Sequence, residues 1–215
     1  MSRAAPPKRK YDSSRRQAQA RQTRRQIAEA ARRLFYEYGY SGTTLQAIAQ
    51  QAGVALQTVY AVFGSKNKIL WHLMDISVGG DNQPIALLDR PGPQAVLRGT
   101  DQHRQITMFA RGIAEILGRV APLFEVLRAA AKTEEASRDL LRNLIRERME
   151  NMTVFVQHLA GNGSLRGGMG QGAAAEIVWT VTSPEVYLLL TRDRAYTQDR
   201  YAAWLEAVLE RLLLP

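Results

Sequence analysis

Apolar positions recur along this chain at three- and four-residue steps. From about residue 15 to 38, Ile27, Ala31, Leu34, Phe35 and Tyr38 fall on one stripe, which predicts a helix that Gly39 stops. Thr43-x-x-Gln46 reads as a capping box for the next helix, with Thr44 as the other possible cap. Ser65 caps a further helix carrying Ile69, Leu70, Leu73 and Met74. Gly79-Gly80-Asp81-Asn82 and Pro91-Gly92-Pro93 are breakers, and they place a domain junction within residues 66–100. The helical period then resumes. Residues 101–119 carry Ile106, Phe109, Ile113, Ile116 and Leu117. Residues 122–131 form a shorter piece opened by Pro122, and residues 134–159 a long helix with Leu140, Leu144, Met152, Phe155 and Leu159 on its apolar side. A glycine-rich loop over 161–172 leads to a helix over 173–182. Ser183-Pro184-Glu185 caps and restarts or bends it, and residues 197–213 close the pattern. No segment alternates with the strand period, so the fold class is all-α.

Residues 44–66 carry the chemistry. They read as two short helices pinned at Gly53, where a left-handed backbone is cheap only for glycine. Ala49 lets the second helix cross closely, and Ile48, Ala52, Val54, Val59 and Phe63 form an apolar wedge between the pair. Gln46, Leu56, Gln57, Thr58, Ala61 and Val62 are left for the outward face. Amide and hydroxyl groups reach base edges or phosphates, and a leucine or alanine touches a thymine methyl. An ordinary surface helical hairpin has the same pattern.

Charge separates these readings. Residues 1–25 hold nine Lys or Arg (Arg3, Lys8, Arg9, Lys10, Arg15, Arg16, Arg21, Arg24, Arg25) against Asp12 alone, so +8 of the chain's +9 lies directly upstream of the hairpin. Phosphate neutralisation with counterion release is the usual use of such an arm, although a solvated tail has the same composition. Pro6-Pro7-Lys8-Arg9-Lys10 also resembles a nuclear-import signal by composition. Disorder is expected over residues 1–14.

The 215 residues suffice for one large or two small domains with a real core. The chain has no cysteine, which removes thiol catalysis, disulfides and thiolate metal sites and fits a reducing, cytoplasmic setting. No secretory or membrane-spanning segment is expected. His72, His103 and His158 stand alone, so no metal site is expected. Gly161-Asn162-Gly163 and Gly168-Met169-Gly170 lack the preceding strand and following Lys-Ser that a phosphate loop needs. Glu134-Glu135 and Glu147-x-x-Glu150 read as solvated helix faces. No catalytic residue and no cofactor is assigned.

The run Thr44-x3-Ile48-Ala49-x3-Gly53-Val54-x3-Thr58-x-Tyr60-x2-Phe63-x2-Lys66 closely resembles the N-terminal domain of the TetR (tetracycline-repressor) family of transcriptional regulators. The preceding helix, with Ile27, Ala31, Phe35 and Gly39, fits too, and the match covers roughly residues 20–70. The resemblance implies three parts: a basic arm over 1–19, a helix-turn-helix DNA-binding domain over 20–66, and a helical effector-binding and dimerisation domain over 67–215. It further implies an Ω-shaped homodimer that reads double-stranded DNA with a palindromic operator and loses it on binding a small effector. By position, Thr44 and Gln46 contact backbone or a base, Gln57, Thr58 and Ala61 face bases, and Tyr60 and Lys66 hold phosphates; Leu56, on the outward face, is counted with the DNA-binding residues. Two positions depart from the family. Ala55 stands where members often carry a capping serine, a loss of about 1 kcal/mol. Val62 replaces a residue that is frequently polar or aromatic.

In the last helices, Ile177, Val181, Leu188, Tyr201, Leu205, Val208, Leu209 and Leu212 exceed what one helix pair can hide. They are assigned to a two-fold interface, with packing inside the monomer as the other reading. Met108, Phe109, Phe124, Met152, Phe155, Trp179 and Tyr187 are candidates to line an effector pocket, and also fit plain core. The expected function is therefore a repressor released by a hydrophobic effector. Alternatives are a DNA binder of the same fold without ligand control, or a helical enzyme or carrier with a basic tail.

Overall fold

Helix α1 (Ser13–Gly42) begins inside what the sequence suggested was a flexible arm over 1–19, so residues 13–19 are helical. The computed structural model describes residues 13–81 and 83–215; the expected disorder of residues 1–12, with Lys8-Arg9-Lys10, lies outside them. Gly39 bends α1 at φ 68° and ψ 178°. The bend turns Tyr40 into the core, where its ring stacks on Phe35 at 5.6 Å, and leaves Tyr38 58% exposed. Tyr38 therefore leaves the stripe to which helical spacing assigned it.

Helices α2 (Leu45–Ala52) and α3 (Leu56–Phe63) follow, and α4 (Lys66–Gly79) carries the chain away from them. A 3-10 turn at Leu87–Asp89 precedes α5 (Pro91–Leu97). Pro91, expected only to break structure, instead opens α5, where a missing N–H costs nothing. Helix α6 (Gln102–Ala131) is continuous through Pro122, against the expected break after residue 119. A proline inside a helix costs about 3 kcal/mol. Here the neighbouring Ala121, Leu123 and Leu127 are wholly buried, and their burial keeps the axis intact.

Helix α7 (Glu135–Gly161) leads to α8 (Gln171–Val181). The Ser183 side chain caps α9 (Pro184–Leu188) by accepting from the Val186 N–H at 3.2 Å. Helix α9 runs into a π turn at Leu189–Asp193, and α10 (Gln198–Leu213), capped by Thr197, follows it. Every regular element among the described residues is helical.

Helix α6 is the hub. It packs against α1, α4, α5, α7, α9 and α10. Its start is clasped to its neighbours: buried Gln105 donates to the Val96 carbonyl at 3.0 Å and accepts from Asn162 at 2.7 Å. One continuous core runs from Ile27 and Ile48 through Leu70 and Leu123 to Leu205 and Leu213.

Candidate functional site

The helical corner forms as its residues dictate. Thr44, in extended backbone, accepts from the Ala47 N–H at 3.1 Å and caps α2, while Thr43 turns back to donate to the Gly39 carbonyl at 2.8 Å. The cap is therefore Thr44 rather than Thr43. Gly53 closes α2 at φ 67°, and the Val54 N–H reaches the Ala49 carbonyl at 3.0 Å. Ala55 begins α3 without any side-chain cap, as its methyl requires.

Ile48, Ala49 and Val59 are buried to within 1% and Phe63 to 5%, and these four lock α3 onto α2. Arg24 of α1 holds the far end of α3. Its guanidinium lies 4.4 Å above the Phe63 ring and donates to the Val62 carbonyl at 3.3 Å. His72 of α4 leans on the same ring at 5.4 Å. Burial, reinforced by the nearby Arg24 charge, pulls the His72 pKa below its ordinary value.

With one side of α3 fixed, its other side is set. Gln57, Tyr60 and Ala61 of α3 are exposed, as are Thr44 and Gln46 at the start of α2. Leu56, Thr58 and Val62 are only half-exposed, and Leu56 and Val62 lie partly against the core, so their outward role is reduced. Arg15, Arg16, Arg21 and Arg25 lie exposed along α1.

Lys66 is anchored inside the corner. Its ammonium donates to the carbonyls of Tyr40 at 2.7 Å and Thr43 at 2.9 Å, and lies 4.0 Å from the centre of the Tyr40 ring. Two of its three donors are therefore taken up at the end of α1, which leaves one for the phosphate role expected of it. Desolvation lowers its pKa, and the Glu134 carboxylate opposes that shift. Glu134, expected on a solvated face, accepts from the Tyr40 hydroxyl at 2.6 Å, while Asn67 donates to buried Ser137 at 2.7 Å. Burial and the Glu134 bond push the Tyr40 phenol well above its ordinary pKa. These contacts tie the corner to the start of α7.

A cavity of about 440 Å³ lies between α4, α5, α6 and α7. Met108, Phe109, Met152 and Phe155 line it, with Phe109 and Phe155 stacked at 3.9 Å. Phe124, Trp179 and Tyr187 do not reach it, because they face other helix contacts. Phe124 lines a separate groove against α9. Trp179 stacks with Arg148 at 4.6 Å and its carbonyl accepts from that guanidinium. Tyr187 packs edge-on against Tyr201 at 4.7 Å. Burial of Arg148 there lowers its pKa to about 10. Further apolar wall comes from Val78, Leu87, Leu88, Val96, Ile113 and Ile116, much of it from the segment read only as breakers.

The assigned interface also needs correction. Tyr201, Leu205 and Leu209 are wholly buried within the chain, and Leu188 is 9% exposed. Their side chains fill the space between α6, α8 and α10 and have nothing left to offer a second copy. Ile177, Val181 and Val208 are half-exposed and Leu212 is 39% exposed. No group of His, Cys, Asp and Glu that could hold a metal is found among the described residues. No helix among them is long and apolar enough to cross a membrane.

Residues 27–73 match the family model for bacterial regulatory proteins of the tetR family. The HTH-type transcriptional regulator TtgR of Pseudomonas putida is 44% identical over 57 residues, which is 26% of this chain and 27% of that protein. A probable HTH-type regulator, ArpR of Pseudomonas putida, matches to the same extent. These matches span about a quarter of the relatives' length. Across nearly the whole chain the fold is that of NalD, the secondary repressor of the MexAB-OprM multidrug efflux pump in Pseudomonas aeruginosa. The TM-score is 0.66 at 21% identity, covering 91% of this chain and 98% of that one. The SmeT–triclosan complex superposes with a TM-score of 0.62 at 18% identity, over 90% of this chain and 92% of that one.

Proposed function

We propose, from a chain whose helix-turn-helix domain belongs to the tetR family of bacterial regulatory proteins, that it is a cytoplasmic transcriptional repressor acting as a homodimer on a palindromic operator. The observation that carries this reading is the division of α3 into two faces. Val59 and Phe63 are fixed in the core, and Gln57, Tyr60 and Ala61 stand free at the opposite side. Gln57 is placed to pair with a base edge, with Ala61 one turn on for a thymine methyl. Tyr60, Thr44 and the α1 arginines supply backbone contacts that position without specifying. On this reading residues 20–66 form the reader and residues 67–215 the effector-binding and dimerisation part.

Two readers on one operator need a dimer with heads about 34 Å apart. The half-exposed Ile177, Val181 and Val208, with Leu212, are the available apolar surface on α8 and α10. Release by a small apolar molecule is the control we propose, supported by the cavity of about 440 Å³, which lies within the usual range of about 300–1,000 Å³ and ends against α4, the helix leaving the reader. SmeT, of the same fold, was solved as a complex with triclosan.

Selection of bound duplexes from a random pool tests the reading. The expected product is an inverted repeat whose half-sites lie about one helical turn apart. Recovery of unrelated sequences with no repeat would reject it.

A further inference from the structure

The cavity wall is largely apolar, with Asn151 of α7 as a polar member, and its charged edge on α6 is built by a four-residue period. Arg111, Glu115 and Arg119 follow one another at i, i+4 and i+8 on α6, and all three line the cavity. Arg90 also lines it, but both its Nη atoms grip Asp81, at 3.0 and 3.1 Å, so that charge is spent. An adjoining recess holding Asp75, Asp81 and Glu147 surrounds the same guanidinium. Among the described residues no carboxylate lies within ion-pair distance of Arg111 or Arg119. Arg119 is half-buried, and its Nε donates to the Ser77 carbonyl at 2.9 Å, in the last turn of α4. Two guanidinium groups against the single carboxylate of Glu115 therefore leave the edge with excess positive charge beside a hydrophobic chamber.

We propose that the cavity takes an organic anion with an apolar body, its body against Phe109, Met152 and Phe155 and its carboxylate-like head at Arg119. This rests on the cavity being an effector site. A partly desolvated guanidinium binds an anionic oxygen more strongly than a neutral one and repels a cation. The chamber excludes water from the body, and Arg119 selects the head. Because Arg119 also holds the Ser77 carbonyl, an anion at Arg119 engages the same guanidinium that fixes the end of α4.

The test is calorimetric titration of the full chain with decanoate, 1-decanol and decyltrimethylammonium, which share one apolar body and differ in head charge. The expected order is decanoate tighter than decanol by about tenfold or more, with the cation weakest. Arg119→Met is expected to abolish the anion's advantage while decanol still binds, and Arg119→Lys to retain part of it. Equal binding of decanoate and decanol, or a preference for the cation, overturns the anion assignment and leaves the effector site standing. Failure of all three to bind overturns both. The wild-type comparison decides the matter even if a variant does not fold.

Discussion

The ammonium of Lys66 lies 2.7 Å from the Tyr40 carbonyl and 4.0 Å from the centre of the Tyr40 ring, so one side chain satisfies the end of α1 and covers an aromatic face. Its second bond, to Thr43, bridges the step into α2. Replacing Lys66 by methionine keeps the stem and removes both bonds, which orphans the Thr43 carbonyl and leaves the Tyr40 carbonyl only the Thr43 N–H at 3.3 Å. The expected loss is about 1–3 kcal/mol of stability, read from urea midpoints. The ratio of affinities between operator and scrambled duplex should change little, since the ammonium faces carbonyls and not base edges.

Leu209 is wholly buried between α10 and its neighbours. Leu209→Ala should therefore cost about 2–5 kcal/mol in unfolding, as a cavity in a packed core does. Val208 and Leu212 behave differently because they reach the surface. The pair Val208→Glu and Leu212→Glu should yield monomers in sedimentation with the helical circular dichroism intact. A variant pair that remains dimeric would place the interface elsewhere.

His72 gives the chain a pH dependence. Its folded pKa is depressed below 6.5 by burial and by Arg24, so between the two values the unfolded chain binds more protons than the folded one. Stability should thus fall as pH drops through 6.5 towards the folded value, and the strain should appear where His72 meets Phe63 at the end of α3. His103 is shifted upward by its bond to Glu210, and its contribution fades instead as pH rises through its folded value. The comparison that isolates His72 is wild type against His72→Gln. The variant should lose part of the acid sensitivity in urea midpoints measured from about pH 7.5 to 5.

Gly53 holds φ 67° with open space where a Cβ would sit. Gly53→Ala should therefore cost only the backbone term, about 1–2 kcal/mol, without steric disruption of the corner. A much larger loss of melting temperature would mean that the corner is tighter than its geometry shows.

Local chemistry made much of this legible. The Ser65 and Ser183 caps, the Gly53 corner and the buried face of α2 and α3 all follow from residue type and helical period, and Thr44, the second of two candidate caps, is the one α2 uses. What was not legible required knowing which elements meet. Lys66 near a helix start suggests an anion site, and only the fold shows that the end of α1 arrives first. Leu205 and Leu209 form a stripe whether the covering surface is α6 or a second copy. Pro122 marks a break unless burial on both sides outweighs it. Half the cavity wall comes from Val78 to Val96, a stretch whose glycines and prolines hide its role. The spacing of Arg111, Glu115 and Arg119 was the available signal there.

The central claim is that the free face of α3 reads sequence, and equilibrium competition against the selected inverted repeat tests it most directly. At physiological salt the full chain should prefer that duplex to a scrambled one by roughly 10³ or more. Gln57→Ala should lose about 1–3 kcal/mol of that discrimination, with its affinity for scrambled DNA unchanged. Equal affinity for both duplexes, falling together as salt rises, would contradict the account and reduce the chain to a basic surface without a code.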